Sequence, residues 1–225
     1  MNRFSTYYRA VLDDIASPAE ELANVITHGL GLLLALIALP VLVHFALIKG
    51  NPVSLTGGLA FGAGLLLVYL FSTLYHLANK PLLRKWFQVL DHIAIYFLIA
   101  GTYTPFILLY VNTRPGYTVL IVLWALTAIG LVYKIFAAHK FRLLSTLIYL
   151  GMGWAAIFII GPMLERVPAT ILLWILAGGI CYTVGAVIYL YRKIPYHHAL
   201  WHILVLAGSI CHFCGVILAF SPQAG

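Results

Sequence analysis

The sequence predicts an all-α membrane protein, folded as a bundle of seven transmembrane helices. Of its 225 residues, 63% are hydrophobic and only 8% are charged, a balance that excludes a soluble globular domain. The apolar residues form seven runs, and each run reaches the length of about 20 residues that a helix needs to cross the hydrocarbon core. Because these runs use nearly the whole chain, we expect no second, soluble domain.

The predicted spans follow one another with short polar connections. In chain order they cover residues 22–48, 55–78, 89–110, 117–138, 143–163, 170–191 and 198–220. The connections contain KGNP, NKP, NTRPG, ERVP and RKIP, in which Gly, Pro and charged residues interrupt helices. We therefore predict an N-terminal segment over residues 1–21, a transmembrane domain over residues 22–220 and a short tail over residues 221–225.

Positive charges predict how the bundle is oriented. With seven spans, one side of the membrane receives the N-terminal segment and the second, fourth and sixth connections. That side carries ten basic residues: Arg3, Arg9, Lys80, Arg84, Lys85, Lys134, Lys140, Arg142, Arg192 and Lys193. The other side carries three: Lys49, Arg114 and Arg166. Since cytoplasmic loops are enriched in Lys and Arg, the N-terminus is predicted in the cytoplasm and the C-terminus outside. Lys134 is expected to snorkel from the last turn of its span.

Charge and cysteine content exclude other classes of protein. The net charge is +7 at pH 7, but the basic residues fall largely between the apolar runs, so they indicate topology and not a nucleic-acid partner. The three cysteines, Cys181, Cys211 and Cys214, lie within apolar runs and predict no disulfide framework. The N-terminal segment has no apolar core before its acidic residues, so it is predicted as a cytosolic lead-in and not a signal peptide.

Polar residues that are costly in a bilayer recur at one predicted end of the bundle. STLYH (residues 72–76) ends the second span, LDH (90–92) opens the third, and HALWH (198–202) opens the seventh. These motifs should therefore lie at the same depth, on the cytoplasmic side. The i, i+4 spacing places both polar members of SxxxH, and both histidines of HxxxH, on one helix face. Two helices can thus bring three imidazoles to one point.

Three neutral imidazoles with a fourth position open to water are typical of a catalytic zinc site, whereas structural zinc is more often closed by thiolates. We therefore predict that His76, His198 and His202 bind zinc. Asp91 is the candidate catalytic carboxylate, either as a general base that contacts the zinc-bound water or as a fourth ligand. Ser72 is predicted to contact the site or the substrate through its hydroxyl group. The alternative is that the HxxxH spacing is fortuitous and that the histidines are hydrated at the lipid headgroups.

These motifs resemble those of the bacterial haemolysin III proteins, within the progestin and adipoQ receptor superfamily that includes the adiponectin receptors. The resemblance rests on EELANVITHGLG (20–31), STLYH, LDHIAIYFLIAGTYTPF (90–106) and HALWHILVLAGSICHF (198–213), and it covers all seven predicted spans. It implies a seven-helix protein of the bacterial inner membrane with a buried zinc near the cytoplasmic face. It also implies the three histidine ligands named above, Asp91 as the partner of the zinc-bound water, and distant kinship with alkaline ceramidases, which hydrolyse lipid amides.

The first motif of the family, ExxNxxxH, is matched by Glu21, Asn24 and His28. Asn24 and His28 share a helix face at the depth of the predicted zinc site. They either brace the site, line its entrance or position the first helix as interfacial polar residues, and Glu21 rests on the motif alone. His212 lies ten residues beyond His202, about 15 Å along the helix axis. This separation is too long for a shared ion, so we expect a hydrogen-bonded core histidine.

The combined expectation is a zinc-dependent hydrolase that cleaves an amide or ester in a membrane lipid or amphiphile. Two other classes stay open. A receptor or regulator would use zinc structurally, to tie the second and seventh helices together. A haemolytic, pore-forming or ion-transport protein would need a polar path to the outer face, where the predicted spans offer few polar residues.

Overall fold

The computed structural model describes residues 17–137, 142–191 and 193–221, and within these ranges the secondary structure is entirely helical. The α-helices are α1 (Pro18–Lys49), α2 (Pro52–Leu77), α3 (Pro81–Tyr110), α4 (Arg114–Ala137), α5 (Arg142–Gly153), α6 (Ile160–Arg166), α7 (Ala169–Leu190) and α8 (His197–Phe220). A 3₁₀ helix, Ala155–Ile159, joins α5 to α6.

Seven helical segments are long and apolar enough to cross a membrane, which confirms the predicted bundle. The fifth span, Leu143–Arg166, combines α5, the 3₁₀ helix and α6. Several predictions concern residues outside the described ranges. They are the N-terminal segment up to residue 16, the tail from residue 222, the end of the fourth span at residue 138, and the charges of Arg3, Arg9, Lys140 and Arg192.

The first three helices begin earlier in the chain than their apolar runs do. Each has proline at its first position, Pro18, Pro52 or Pro81. Proline suits this position because the missing N–H would have no partner in the helix. At α1, Ser17 forms a reciprocal cap with Glu20: the Ser17 hydroxyl accepts from the Glu20 N–H, and the Glu20 carboxylate accepts from the Ser17 N–H. The apolar run therefore marks the membrane-embedded part of each helix and not its start.

Glycines allow α2 and α3 to pack closely along their length. A Cβ atom at Gly64 would lie 2.9 Å from the Cα of Leu98, and one at Gly101 would lie 2.5 Å from the carbonyl oxygen of Ala60. Only glycine fits at such backbone approaches. Among the helices of the described ranges, α2 and α3 pack most extensively, followed by α1 with α2 and α7 with α8. These contacts lie within one chain, and they fix the ends of α2 and α3 relative to each other.

The fifth span is broken where α5 gives way to the 3₁₀ helix. The Tyr103 hydroxyl of α3 donates to the carbonyl of Gly153 (2.6 Å) and accepts from the N–H of Ala156 (2.9 Å). Backbone groups released by a break at membrane depth need such partners, because lipid supplies none. The indole N–H of Trp154 likewise donates to the Thr183 hydroxyl, 3.0 Å away on α7.

Lys134 contradicts the expectation that it snorkels to the aqueous phase. Its side chain is 1% exposed and lies inside the bundle, where the ammonium donates to the Ser145 hydroxyl at 2.8 Å. The ring of Tyr149, also on α5, lies 5.9 Å from the ammonium, so the charge has partners within the protein. The lysine is therefore part of the interior and not a surface charge.

Candidate metal centre

Three predicted ligands meet at one end of the bundle, which we call the site end. His76 lies in the last turn of α2, and His198 and His202 lie in the first turns of α8. One ring nitrogen of each histidine lies within 4.8 Å of those of the other two. The centroid of the His76 ring is 5.1 Å from that of either α8 histidine. Two helices thus present three imidazoles to one point.

The ring of His76 is oriented by a carboxylate from the first turn of α1. The His76 Nδ1 lies 2.7 Å from the Glu21 Oε2, and the guanidinium of Arg84 donates to the other oxygen, Oε1. Because a carboxylate only accepts hydrogen bonds, Nδ1 carries the proton and the Nε2 lone pair is left for a metal. Such a carboxylate–histidine arrangement is typical of metal ligands.

His202 is oriented in a similar way by Thr27 of α1. The Thr27 hydroxyl is within donating distance of the helix carbonyls of Ala23 (2.8 Å) and Asn24 (3.0 Å), and its oxygen lies 3.2 Å from the His202 Nδ1. With its hydrogen directed to a carbonyl, the hydroxyl oxygen is the acceptor for the His202 Nδ1–H. The Nε2 lone pair of His202 is therefore available to a ligand in the same way as that of His76.

The residues present fit a zinc ion. The Nε2 atoms of His76 and His202 are buried and make no hydrogen bond within the described ranges. A buried nitrogen lone pair without a donor is costly, and a metal cation removes that cost. Neutral imidazoles are suitable zinc ligands, and three of them leave one tetrahedral position for water or substrate.

Asp91 and Ser72 are neighbours on α3 and α2, and Asp91 lines the same cavity as His76 and His198. The Asp91 side chain on α3 is 4% exposed, and the fully buried hydroxyl of Ser72 on α2 is next to it. His92 Nδ1 lies 3.7 Å from the Asp91 Oδ2 but is bonded to the Gln88 carbonyl at 2.7 Å. Within the described ranges, Asp91 is not a member of the close group formed by the three histidines.

Asn24 and His28 also lie inside the bundle, 2% and 1% exposed. The His28 ring stacks on that of His202, with centroids 3.5 Å apart and planes 21° from parallel, and it meets Tyr69 edge-on at 5.2 Å. The α1 motif therefore contacts the histidine group at two points, Glu21 and His28, that are about two helical turns apart. Glu21 contacts one ligand of the predicted set, and His28 packs against another.

A cavity of about 770 Å³ extends from the histidine group along the inside of the bundle. At the site end its lining is polar and includes Glu21, His76, Asp91 and Lys134. Farther along, the walls are mainly aliphatic and aromatic: Leu98, Phe106, Ile107, Val111, Ile159 and Met163. The lining includes Asp91 on α3 and Val111 directly after that helix, a separation of about 30 Å along a helix axis.

His212 and His44 lie apart from the histidine group. His212 is buried on α8, where its Nδ1 donates to the Gly208 carbonyl at 2.8 Å and its ring stacks on Tyr182 at 5.3 Å. This matches the expected hydrogen-bonded core histidine, and its ring also lines the cavity. His44 is exposed on α1.

Four residues of the site were not identified from the sequence. Thr27 contacts His202, Arg84 binds Glu21, and Lys134 and Tyr149 line the cavity near Asp91. Arg84 and Lys134 were counted only as charges that determine topology. For Thr27, the one feature of the sequence that indicates a place in the site is its position directly before His28 of the first motif.

Comparison with known proteins identifies the family. A profile of the family described as Haemolysin-III related matches residues 17–213. The chain belongs to the haemolysin III family. Its relatives include Hemolysin-3 of Bacillus cereus, 43% identical over 91% of this chain and 94% of that protein. Hemolysin-3 homolog of Bacillus subtilis (strain 168) is 43% identical over 88% and 93%.

A more distant relative of this haemolysin III protein is human monocyte to macrophage differentiation factor. It is 26% identical over 69% of this chain and 67% of the human protein. This relationship agrees with the resemblance to the progestin and adipoQ receptor superfamily. The family assignment and the seven apolar helices together make the chain a multi-pass membrane protein.

Proposed function

We propose that this protein is a zinc-dependent hydrolase that cleaves an amide or ester bond in a membrane lipid or amphiphile. The observation that carries the proposal is the position of the histidine group at the polar end of a long, otherwise apolar cavity. A zinc ion that only tied two helices together would not require a cavity beside it. A hydrolase of amphiphiles requires both a polar metal site and an apolar cavity, since the reacting bond and the hydrocarbon chain need different surroundings.

The dimensions of the cavity suit an amphiphile. Its volume of about 770 Å³ falls within the range of about 300–1,000 Å³ that is usual for small-molecule sites. The apolar walls would bind a hydrocarbon chain, while the polar lining near Asp91 would surround the carbonyl group. The fifth and sixth spans both line the cavity but make few contacts with each other, which supports a lateral entrance between them.

In this proposal, His76, His198 and His202 hold the zinc ion, which polarises a carbonyl group and acidifies water when bound. Asp91 is the general base, whose carboxylate accepts a proton from the attacking water and returns it to the leaving amine or alcohol. Its position outside the close histidine group supports action through water rather than direct ligation. Ser72 donates a hydrogen bond to Asp91 or to the substrate from its buried position beside that carboxylate.

The proposed orientation places the site at the cytoplasmic face of the bacterial inner membrane. It is supported by the excess of basic residues in the connections at the site end and by the bacterial relatives. The substrate would then enter from the inner leaflet, with its polar group near the histidines and its chain along the cavity.

Metal analysis of detergent-purified protein tests the first step. We expect about one zinc per chain in the wild type, following the three-ligand stoichiometry of catalytic sites. We expect its loss in His76→Ala and His202→Ala, measured by plasma mass spectrometry. His197→Ala is the matched control, because His197 is adjacent to a proposed ligand but outside the close group. No zinc in the wild type, or unchanged zinc in both variants, would refute the site.

A screen of lipid amides and esters tests the reaction. We expect hydrolysis by the wild type and its loss in Asp91→Asn, with zinc retained in that variant. If zinc removal unfolds the bundle while Asp91→Asn keeps full biological function, a receptor or regulator with structural zinc is supported instead. Ion flux in proteoliposomes that depends on His212 and not on His76 would support transport.

A further inference from the structure

Lys134 is a buried charge at the site end to which the proposed function assigns no role. It lies in α4, outside every motif discussed above, and its ammonium group is inside the bundle. Burying a lysine in a membrane span is costly, and such residues persist where they have a partner or a function. The groups around the ammonium identify its partner.

The groups in contact with the ammonium come from α5. It donates to the Ser145 hydroxyl at 2.8 Å and lies 5.9 Å from the centroid of the Tyr149 ring. The Tyr149 hydroxyl in turn donates to the carbonyl of His92 at 3.0 Å, directly after Asp91 in the chain. Lys134 and Asp91 interact electrostatically across the polar end of the cavity, which both residues line.

The other acidic residues in the described ranges are not available to Lys134. Glu21 is paired with Arg84 and with His76. Glu20 caps α1 and accepts from the N–H of Tyr196 at 3.1 Å. Glu165 is exposed on α6.

The groups that face Asp91 come from four helices: Ser72 on α2, His92 on α3, Lys134 on α4 and Tyr149 on α5. Of these, Lys134 has the side chain whose ordinary pKa lies farthest above neutrality, so it is the cation best suited to face the carboxylate. A lone carboxylate in this position would be uncompensated, and so would a lone ammonium group.

We propose that Lys134 is the counter-ion of Asp91, and that it holds this side chain ionised and in place beside the histidine group. Lys134 is thus a positioning residue that acts through Asp91, and Ser145 and Tyr149 fix it from the fifth span. Any effect of Lys134 on catalysis rests on the proposed role of Asp91 as general base. The existence of the Lys134–Asp91 pair does not depend on that role, and it can be tested without a substrate.

Infrared difference spectroscopy of detergent-purified protein measures the state of Asp91 directly. We expect the spectrum of wild type minus Asp91→Asn to show the antisymmetric stretch of a carboxylate. In the Lys134→Met background, the same subtraction should show the C=O stretch of a protonated carboxylic acid. Lys134→Arg, which keeps the charge, should restore the carboxylate band. A protonated acid in the wild type, or a carboxylate in both backgrounds, would overturn the proposal.

Thermal unfolding of the same variants gives an independent measurement. We expect lower midpoints for Lys134→Met and for Asp91→Asn, and a loss in the double variant that is smaller than the sum of the two single losses. Lys80→Met, which removes an exposed lysine from the same end of the bundle, should leave the midpoint unchanged. If Lys134→Met cannot be purified, recovery of the folded double variant supports the pair. If Lys134→Met and the double variant both fail to fold while Asp91→Asn folds normally, the pair is contradicted.

Zinc content separates this proposal from the proposed function. Lys134→Met should retain the zinc level of the wild type, because Lys134 is not among the histidine ligands. If the wild type contains no zinc or hydrolyses no lipid, the proposed function fails while the infrared and unfolding results still decide whether the pair exists. If zinc and hydrolysis are found but the infrared result is negative, only the role of Lys134 fails.

Discussion

Glu20 and Glu21 are adjacent residues with separate roles. Glu20 caps the N-terminus of α1 and accepts a hydrogen bond from the N–H of Tyr196, before α8. Glu21 points into the bundle and holds His76. Successive residues of a helix are about 100° apart around its axis, so neighbours face different surroundings. At this scale a shift of one position separates a helix cap from a residue that orients His76.

Glu21→Gln is predicted to weaken zinc binding by about tenfold or more, as is usual when the partner of a ligating histidine is altered. The amide keeps the shape of the side chain but loses the charge that holds the His76 Nδ1–H. A competition titration against a chromophoric zinc chelator measures the effect. Glu20→Gln is the matched control, since it retains an oxygen that can accept from Tyr196 and is expected to bind zinc like the wild type. Equal affinities for both variants would contradict this role of Glu21.

At the scale of helices, the packing of α2 against α3 positions His76 relative to Asp91. Gly101→Ala would place a methyl group 2.5 Å from the carbonyl oxygen of Ala60, which belongs to the backbone and cannot turn aside. We predict a loss of about 1–3 kcal/mol in the free energy of unfolding, typical of overpacking. The thermal midpoint in detergent checks it. Gly29→Ala on α1, with no atom within 4 Å of the new Cβ, should cause no loss.

The break in the fifth span depends on one side chain of α3. Tyr103→Phe removes the hydroxyl group that bonds to both Gly153 and Ala156. We predict destabilisation by about 1 kcal/mol or more, because two backbone groups lose their partner. Tyr117→Phe, an exposed residue near the start of α4, is the control and should be neutral in the same unfolding experiment. Identical midpoints for the two variants would show that the break does not need Tyr103.

At the scale of the whole molecule, the excess of basic residues at the site end predicts its orientation. A periplasmic alkaline phosphatase fused after residue 225 should be active, because the C-terminus is predicted outside. A fluorescent protein that matures only in the cytoplasm should be dark at the same position and bright when fused before residue 1. The reverse pattern would place the histidine group at the outer face and would exclude a substrate from the inner leaflet.

The sequence by itself determined the number and order of the spans, because membrane insertion depends on runs of apolar residues that can be read directly from the chain. It also indicated the three histidines, since SxxxH and HxxxH fix which side chains share a helix face and the alternating direction of the spans fixes their depth. These are local or topological properties, and they need no knowledge of which helices touch.

The tertiary structure decided everything that depends on rotation of one helix against another. Only the packed bundle shows that Glu21 and Thr27 contact His76 and His202, that Tyr103 supports the broken fifth span, and that Lys134 faces inward. The expectation for Lys134 was wrong because a lysine at the end of a span can snorkel or turn inward, and the choice depends on partners from other helices. Such partners come from distant parts of the chain, and the local spacing of residues does not record them.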